Sequence, residues 1–568
     1  MSRMASSRQG TRSKGRPKPA PGRWLTAGPS GATRDDRTAR LTVTRATLAV
    51  VAIGLLWRTI RYALAFPLWG DEAFVAVNFL TRTLSELRLP LEFDQIAPPG
   101  FLWVEWFAAR LLGPSEWALR LVPYLAGVGG LLVFWRFCRR VASRRSTLLA
   151  VAVLAASVYP VRHANEVKPY ATDLLVSLLI TAAGWSVWRD PRSRRRWLTL
   201  IGTAGAGVWC SYTAAYPAGS VAMLLALRLT QGQRQGDSGT TRPLPRRTAG
   251  FLPAYLVVLG ISFGAVVYLF ASPQASAGAW LSESVTWRGA FPPLAQPWRL
   301  PWWLLDMHAG GMLAYPWGSA NFGSTASLLL VVLGVRAMAR HKERRPLLLL
   351  LLGPIPIALA AAALHRHPYG TCIRVTIYMA PAFCLLMGEG IVALLKARRV
   401  LRGGSLVVAA LFLLIPIGFT VRDVAKPYTR WDDLLHRRMA RALAAQTRTG
   451  DRWIVFNGAT PPPRDVPDLM VSRWIQRVAE VRFYLLQAAP VPTLWEPDPN
   501  AVNPVPGGRT WLIVHRHGSR RAFPETRLAT YQRALDARLG PRVATQFFSF
   551  PEGESVEARV YPGPLLKQ

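Results

Sequence analysis

"PLLLLLLGPIPIALAAAAL" (346–364) is an uninterrupted apolar run, and its two flanks differ in kind. Before it stands "RHKERR" (340–345), four cations closed up around one acid; after it stands "HRHPYGTCIR" (365–374), polar and aromatic. A run of roughly 17–25 apolar residues is what a helix needs to cross ~30 Å of hydrocarbon, so this stretch reads as a membrane span. Basic residues gather on the cytoplasmic side of spans. The run therefore leaves the cytoplasm at Pro346 and ends on the outer side at Leu364.

Further apolar runs repeat from residue 43 to residue 421. They predict about eleven crossings, near 43–63, 116–137, 146–161, 169–187, 196–213, 214–229, 250–271, 324–340, 346–364, 373–396 and 403–421. With the N-terminus in the cytoplasm, the basic loops "RFCRRVASRR" (136–145), "RDPRSRRRW" (189–197), 228–247, 336–345 and 396–402 all fall inside. The loop 64–98, with two arginines against Asp71, Glu72, Glu86, Glu92 and Asp94, falls outside. Topology thus accounts for the net charge of +38, and nucleic acid is not an expected partner. The mean hydropathy of +0.18 is held down by two polar ends. Residues 1–40 form a basic tail rich in Pro, Gly and Ser, expected to be disordered in the cytoplasm, near anionic lipid, and not a cleaved signal. Residues 41–421 form the membrane domain. Residues 422–568 alternate helical and strand patterns and predict an extracytoplasmic α/β domain with a mainly parallel sheet. The four cysteines lack metal-ligand spacing.

Two segments of the first outer loop read as helices lying in the interface. "PPGFLWVEWFAARLLG" (98–113) is short for a span, carries Glu105 and Arg110, and opens on Pro98–Pro99. Phe74, Val77, Leu80, Leu84 and Leu87 recur at helical spacing, which predicts a helix over 73–87 with Asp71 as its N-cap.

Ionisable residues at membrane depth are costly, and their clustering marks function. "GDEAF" (70–74) supplies Asp71 and Glu72; "DQIAPPGFL" (94–102) supplies Asp94 and Gln95. "YPVRHANEVKPYATD" (159–173) supplies Arg162, Glu166, Lys168 and Tyr170, and "HRHPYGTCIR" supplies Arg374. A carboxylate beside cations suits transfer from a phosphate-linked donor. The acid takes a proton from the acceptor, and the cations hold the departing phosphate. Helix capping by Asp71 and a salt-bridged loop around Glu166 are the structural alternatives.

These motifs, in this order, resemble the GT-C polytopic glycosyltransferases. They are most similar to the bacterial branch of the protein mannosyltransferase-like family, with the lipid A aminoarabinose and galacturonic acid transferases. Asp71–Glu72 match that family's acidic pair, "QIAPPGFL" its double proline, "GPSEWALR" (113–120) its "G-x-S-E-x-A-x-R", and "NEVKPY" (165–170) its "Q-E-x-R-P-Y". Lys168 stands at an arginine position of that pattern, and Ala97 where His or Lys is common. The resemblance implies a polyprenyl-phosphate sugar donor, an envelope glycan, lipid or protein acceptor, and inversion at the anomeric carbon. It implies Asp71 as general base with Glu72 second. Arg162, Lys168 and Arg374 become phosphate contacts, and Asp94, Gln95, Glu166 and Tyr170 further substrate-binding residues. The location implied is the outer face of the cytoplasmic membrane. No cofactor is fixed by these residues; a divalent metal is left open, with Asp306 and His308 too few to specify a site. A secondary transporter or flippase is the competing class, but internal repeats of the kind transporters show are absent from the sequence. The tryptophans of 272–323 (Trp280, Trp287, Trp298, Trp302, Trp303, Trp317) read first as an interfacial belt and second as a lid.

Overall fold

The computed structural model describes residues 34–234, 250–277, 287, 289–318, 323–397, 414, 417–418, 421–422, 424–425, 431–456, 468–489, 491–516, 525–550 and 554–563. Residues 1–33 of the tail, Trp280 and most of the expected span 403–421 lie outside them, whereas residues 34–40, expected to be disordered, open the first helix.

Helices occupy every other expected span. They are α1 (Arg34–Ala63), α4 (Glu116–Val141), α5 (Arg144–Ala156) with the short α6 (Val158–His163), α7 (Tyr170–Arg189), α8 (Arg194–Cys210) and α9 (Ala215–Arg234). Then follow α10 (Phe251–Val266), α12 (Gly323–Ala339), α13 (Arg345–Leu352) with α14 (Pro354–Ala363), and α15 (Ala380–Ala397), with the short α11 (Leu300–Met307) between α10 and α12. Among the described residues six segments are long and apolar enough to cross a membrane: 38–63, 116–141, 170–189, 251–275, 342–363 and 373–396. The starts are chemically marked. Ser115 caps α4 by accepting the Ala118 amide (3.2 Å), and Ser143 caps α5 by accepting that of Ser146 (3.1 Å). Without a hydrophobic drive between lipid-solvated helices, close backbone approach holds the bundle together. Helices α12 and α15 cross at Gly334 and Gly390. A Cβ on either would stand 2.0 Å from a carbonyl oxygen of the other helix, of Leu386 or Leu330.

Between α1 and α4 lie α2 (Gly70–Thr81) and α3 (Pro99–Leu112). Helix α3 begins as expected, with Pro98 as N-cap and Pro99 in its first turn. Helix α2 differs from the expectation at both ends. It starts at Gly70, its N-cap is Trp69, and Asp71 lies inside the first turn rather than at the cap. Glu72, third in the helix, reaches back to the Trp69 amide (3.4 Å) and supplies the cap in its place. The helix ends at Thr81, so Leu84 and Leu87 pack from the following loop.

The C-terminal part is an α/β unit with sheet order β2-β1-β3-β5-β4. The strands are β1 (Arg452–Phe456), β2 (Thr493–Trp495), β3 (Thr510–Arg516), β4 (Ala544–Ser549) and β5 (Ser555–Tyr561). β1 runs parallel to β2 and β3, whereas β5 is antiparallel to β3 and β4, so the sheet is mixed rather than mainly parallel. The difference comes from β5, "SVEARVY", which the sequence reading left out.

Alternation along the strands makes two apolar faces. Trp453, Val455, Trp511, Ile513, Ala558 and Val560 share one cluster with helices α16 (Trp431–Gln446) and α17 (Asp468–Ala488). Ile454, Phe456, Leu512 and Val514 form another with α18 (Glu525–Leu539). The first cluster does not stop at the domain. It continues through Phe483 and Tyr484 of α17 into Ala73, Ala76, Val77 and Phe79 of α2 and Phe101 of α3. A ring buried there removes roughly 150–250 Å² from water, on the order of 4–6 kcal/mol at about 25 cal/mol per Å² before entropy is counted.

Candidate active site

Asp71, in the first turn of α2, is where the outlying segments meet. Its Oδ1 lies 3.1 Å from Lys168 Nζ and its Oδ2 accepts a hydrogen bond from Arg374 Nη1 at 3.2 Å. Lys168 comes from the loop before α7, and Arg374 from the turn leading to α15, 303 positions away. Lys168 Nζ also donates to Gln95 Oε1 (2.6 Å). The Arg374 guanidinium lies over the Trp287 ring, 5.5 Å from its centroid. Burial pushes the Asp71 carboxyl up, but Lys168 and Arg374 more than offset it, leaving it below the ordinary aspartate value. Burial pulls the Lys168 ammonium down, and Asp71 offsets part of that. The carboxylate keeps 15% of its side chain exposed, which leaves it reachable.

Gln95 reaches Lys168 from a strained turn. Phe93 (φ 57°) and Asp94 (φ 50°) both lie in the left-handed region, unusual for residues other than glycine. The turn is tied down on either side. Asn78 Oδ1 accepts the Glu92 amide (2.8 Å), the Phe93 ring packs on Phe74 (5.2 Å), and Gln95 Nε2 donates to the Phe93 carbonyl (2.9 Å).

Glu72 faces away from this cluster. Arg120 Nε donates to Oε1 (2.8 Å) and Nη2 to Oε2 (2.6 Å), and the Val167 amide donates to Oε1 (2.9 Å). Arg120 also donates to the Phe66 and Pro67 carbonyls. The side chain of Glu72 is 1% exposed, and its two oxygens are occupied by a fork-to-fork pair. It anchors the loop "FPLW" and the residue before Lys168.

Arg162, Glu166 and His163 form a second buried group. Arg162 Nε donates to Glu166 Oε1 (2.7 Å), His163 Nδ1 meets Glu166 Oε2 (2.6 Å), and the Arg162 guanidinium lies over Trp69 (5.6 Å). Burial raises the Glu166 carboxyl, but His163 and Arg162 outweigh it and hold it well below the ordinary glutamate value. Tyr170 sets its ring edge on His163 (4.9 Å) and lies close enough to Asp71 and Arg374 to feel both charges. Arg61, Trp69, Glu72, Arg120, Arg162 and Glu166 line a narrow polar cleft beside the Asp71 cluster.

So the structure gathers Asp71, Gln95, Lys168 and Arg374, with Asp94 in the turn that delivers Gln95. It sets Arg162 and Glu166 behind them, bound to one another, and it locks Glu72 onto Arg120. Sequence reasoning gave no role to Arg120, although "GPSEWALR" contains it, nor to His163. It read Trp287 first as part of an interfacial belt. No group of three or more His, Cys, Asp or Glu side chains among the described residues is arranged to hold a metal ion. His308 uses Nδ1 on the Leu304 carbonyl (2.7 Å) and Nε2 near the Tyr369 hydroxyl (3.3 Å).

The fold brings together a bundle of apolar helices, the acidic helix α2 and an α/β unit seated on that helix. The same fold is found in two crystal structures of ArnT from Cupriavidus metallidurans. One, bound to undecaprenyl phosphate, gives a TM-score of 0.51 at 15% identity over 90% of this chain and 97% of that one. The other, in the apo state, gives 0.50 at 14% identity over 91% and 98%. Residues 97–236 match the profile of a family described as dolichyl-phosphate-mannose-protein mannosyltransferase. Comparison with curated proteins finds no significant match. The chain thus shares the fold of these structures, and its likeness to the mannosyltransferase family lies in residues 97–236.

Proposed function

We propose that this protein transfers a sugar from a polyprenyl-phosphate donor to an envelope acceptor at the outer face of the cytoplasmic membrane, with Asp71 as general base. The observation that carries the proposal is the bracketing of Asp71 by Lys168 and Arg374 at the end of the span bundle. Similarity of fold to an ArnT that binds undecaprenyl phosphate supports the lipid class of the donor. Without donor, the Asp71 carboxylate serves as the anion for both cations. A donor phosphate brings its own negative charge, draws Lys168 and Arg374 onto itself, and leaves Asp71 free to accept a proton.

In the transfer step the acceptor hydroxyl or amine gives its proton to Asp71 while its oxygen or nitrogen bonds to the anomeric carbon. The bond from that carbon to the phosphate oxygen breaks, and polyprenyl phosphate leaves with the electron pair, held by Lys168 and Arg374. Glu72 acts as an anchor for Arg120 and the Lys168 loop rather than as a second base. No step here is routed through a metal ion.

The test is turnover by purified protein in lipid, with a panel of polyprenyl-phosphate monosaccharides and an envelope extract. Released polyprenyl phosphate and labelled product are both measured. Asp71→Asn should lower turnover by about 10²–10⁴, the usual contribution of a general base, with the fold intact. Wild-type turnover in Asp71→Asn would return that residue to a structural role. Absence of turnover with every donor would favour the transport reading.

A further inference from the structure

Helix α17 belongs to the C-terminal unit, yet its side chains end on the segments that build the site. The Tyr484 hydroxyl accepts the buried amide of Leu68 (2.7 Å), just ahead of Asp71, and approaches Glu116 Oε1 (3.3 Å) at the start of α4. A hydroxyl has one proton to give and lone pairs to receive with, so both contacts can be made together. Gln476 packs so closely on Gly70 that a Cβ there would stand 2.2 Å from the Gln476 Cβ. Arg482 Nη1 lies 2.7 Å from Glu92 Oε2, at the head of the turn that delivers Gln95 to Lys168. Gln487 Nε2 donates to the Pro114 carbonyl (2.6 Å), and Arg437 of α16 pairs with Glu116 (2.9 Å). One helix therefore touches the entry to α2, the arm carrying Gln95, and the start of the span carrying Arg120.

We infer that α17 is a positioning element for the transfer site, with Tyr484 and Arg482 as positioning residues: the geometry of Asp71 and Gln95 about Lys168 is set by the docked C-terminal unit. Neither residue touches the Asp71 cluster itself. Tyr484 acts through the Leu68 amide and the first turn of α2, and Arg482 acts through Glu92. For the catalytic consequence the inference rests on the function proposed above; for the structural one it stands alone.

The experiment uses the full chain in lipid nanodiscs, with Tyr484→Phe and Arg482→Gln as variants and Arg538→Gln, on the opposite face of the sheet, as control. Hydrogen–deuterium exchange of residues 66–78 and 90–97 is measured together with kcat and KM for the donor. Tyr484→Phe should speed exchange at 68–73 about 10-fold and lower kcat about 10-fold with KM within about twofold, because sub-ångström misplacement acts on the chemical step. Arg482→Gln should speed exchange at 90–97. The control should match wild type in every readout. Wild-type protection at 66–78 in Tyr484→Phe overturns the inference, as does lost protection with wild-type kcat. If wild type itself shows no transfer, the proposed function fails, and exchange alone decides whether α17 positions α2.

Discussion

Glu105 is fully buried on α3, and neither of its carboxylate oxygens has a hydrogen-bond partner. Burial pushes its carboxyl well above the ordinary glutamate value. A polar group buried without partners costs about 1–3 kcal/mol, so Glu105→Met, similar in volume, should stabilise the protein by that order. Thermal unfolding in lipid followed by tryptophan fluorescence is the check; a lower midpoint would mean that the carboxyl has a partner. The sequence showed Glu105 as an acid in an apolar helix but could not show whether it was paired. The same limit explains Glu72. Local sequence placed it beside Asp71 as a second candidate base, and a partner 48 positions away decides its part. Asp71, Lys168 and Arg374 were legible because each is a charge at a span end, where few charges are tolerated.

Among the elements, the segment carrying Trp287 is the one whose use composition hid. A belt tryptophan and a site tryptophan look alike in sequence, and only the Arg374 guanidinium above its ring separates them. Stacking of this kind contributes about 0.5–2 kcal/mol. Trp287→Ala should therefore raise KM for the lipid donor roughly 3–30-fold, while Trp287→Phe should recover most of the loss. Donor titration tests this, and an unchanged KM in Trp287→Ala would place Trp287 back in the belt. The long apolar helices were readable from the length of their runs, which the thickness of a bilayer sets. The limits of α2 were not. Apolar spacing carried on through Leu84 and Leu87, whereas the cap was made by Glu72 and the end fell at Thr81.

For the whole molecule, the α/β unit is tied together by one buried ionic group. His436 of α16 meets Glu480 of α17 (3.1 Å) and Glu554 before β5 (3.0 Å). Glu554 also meets His515 of β3 (2.7 Å) and Arg477 of α17 (3.2 Å). Burial pulls His436 down, but Glu554 and Glu480 outweigh it, and its pKa is raised to about 10. Glu554 is held below the ordinary glutamate value by the same contacts. The His436 contribution is complete below the unfolded histidine value of about 6.5 and is lost as pH rises through the folded one. That of Glu554 is complete above the ordinary value and is lost on acidification. The unfolding midpoint should thus fall steadily from pH 7 to pH 10, and His436→Gln should flatten that slope. Equal slopes in the two proteins would show that His436 carries no proton there. The sequence indicated an α/β unit, but which of its faces met the membrane part was fixed only by packing. No local pattern marks Tyr484 as a partner of Leu68.

The apolar cluster joining α17 to α2 also has a consequence in time. Domains fold in the order in which they are synthesised, and α2 leaves the ribosome some four hundred residues before α17. Until α17 arrives, the face of α2 that carries Ala73, Ala76, Val77 and Phe79 has no cover, and Leu68 has no hydroxyl to receive its amide proton. A nascent or truncated chain would then sit in the membrane with its spans in place and its site unfinished.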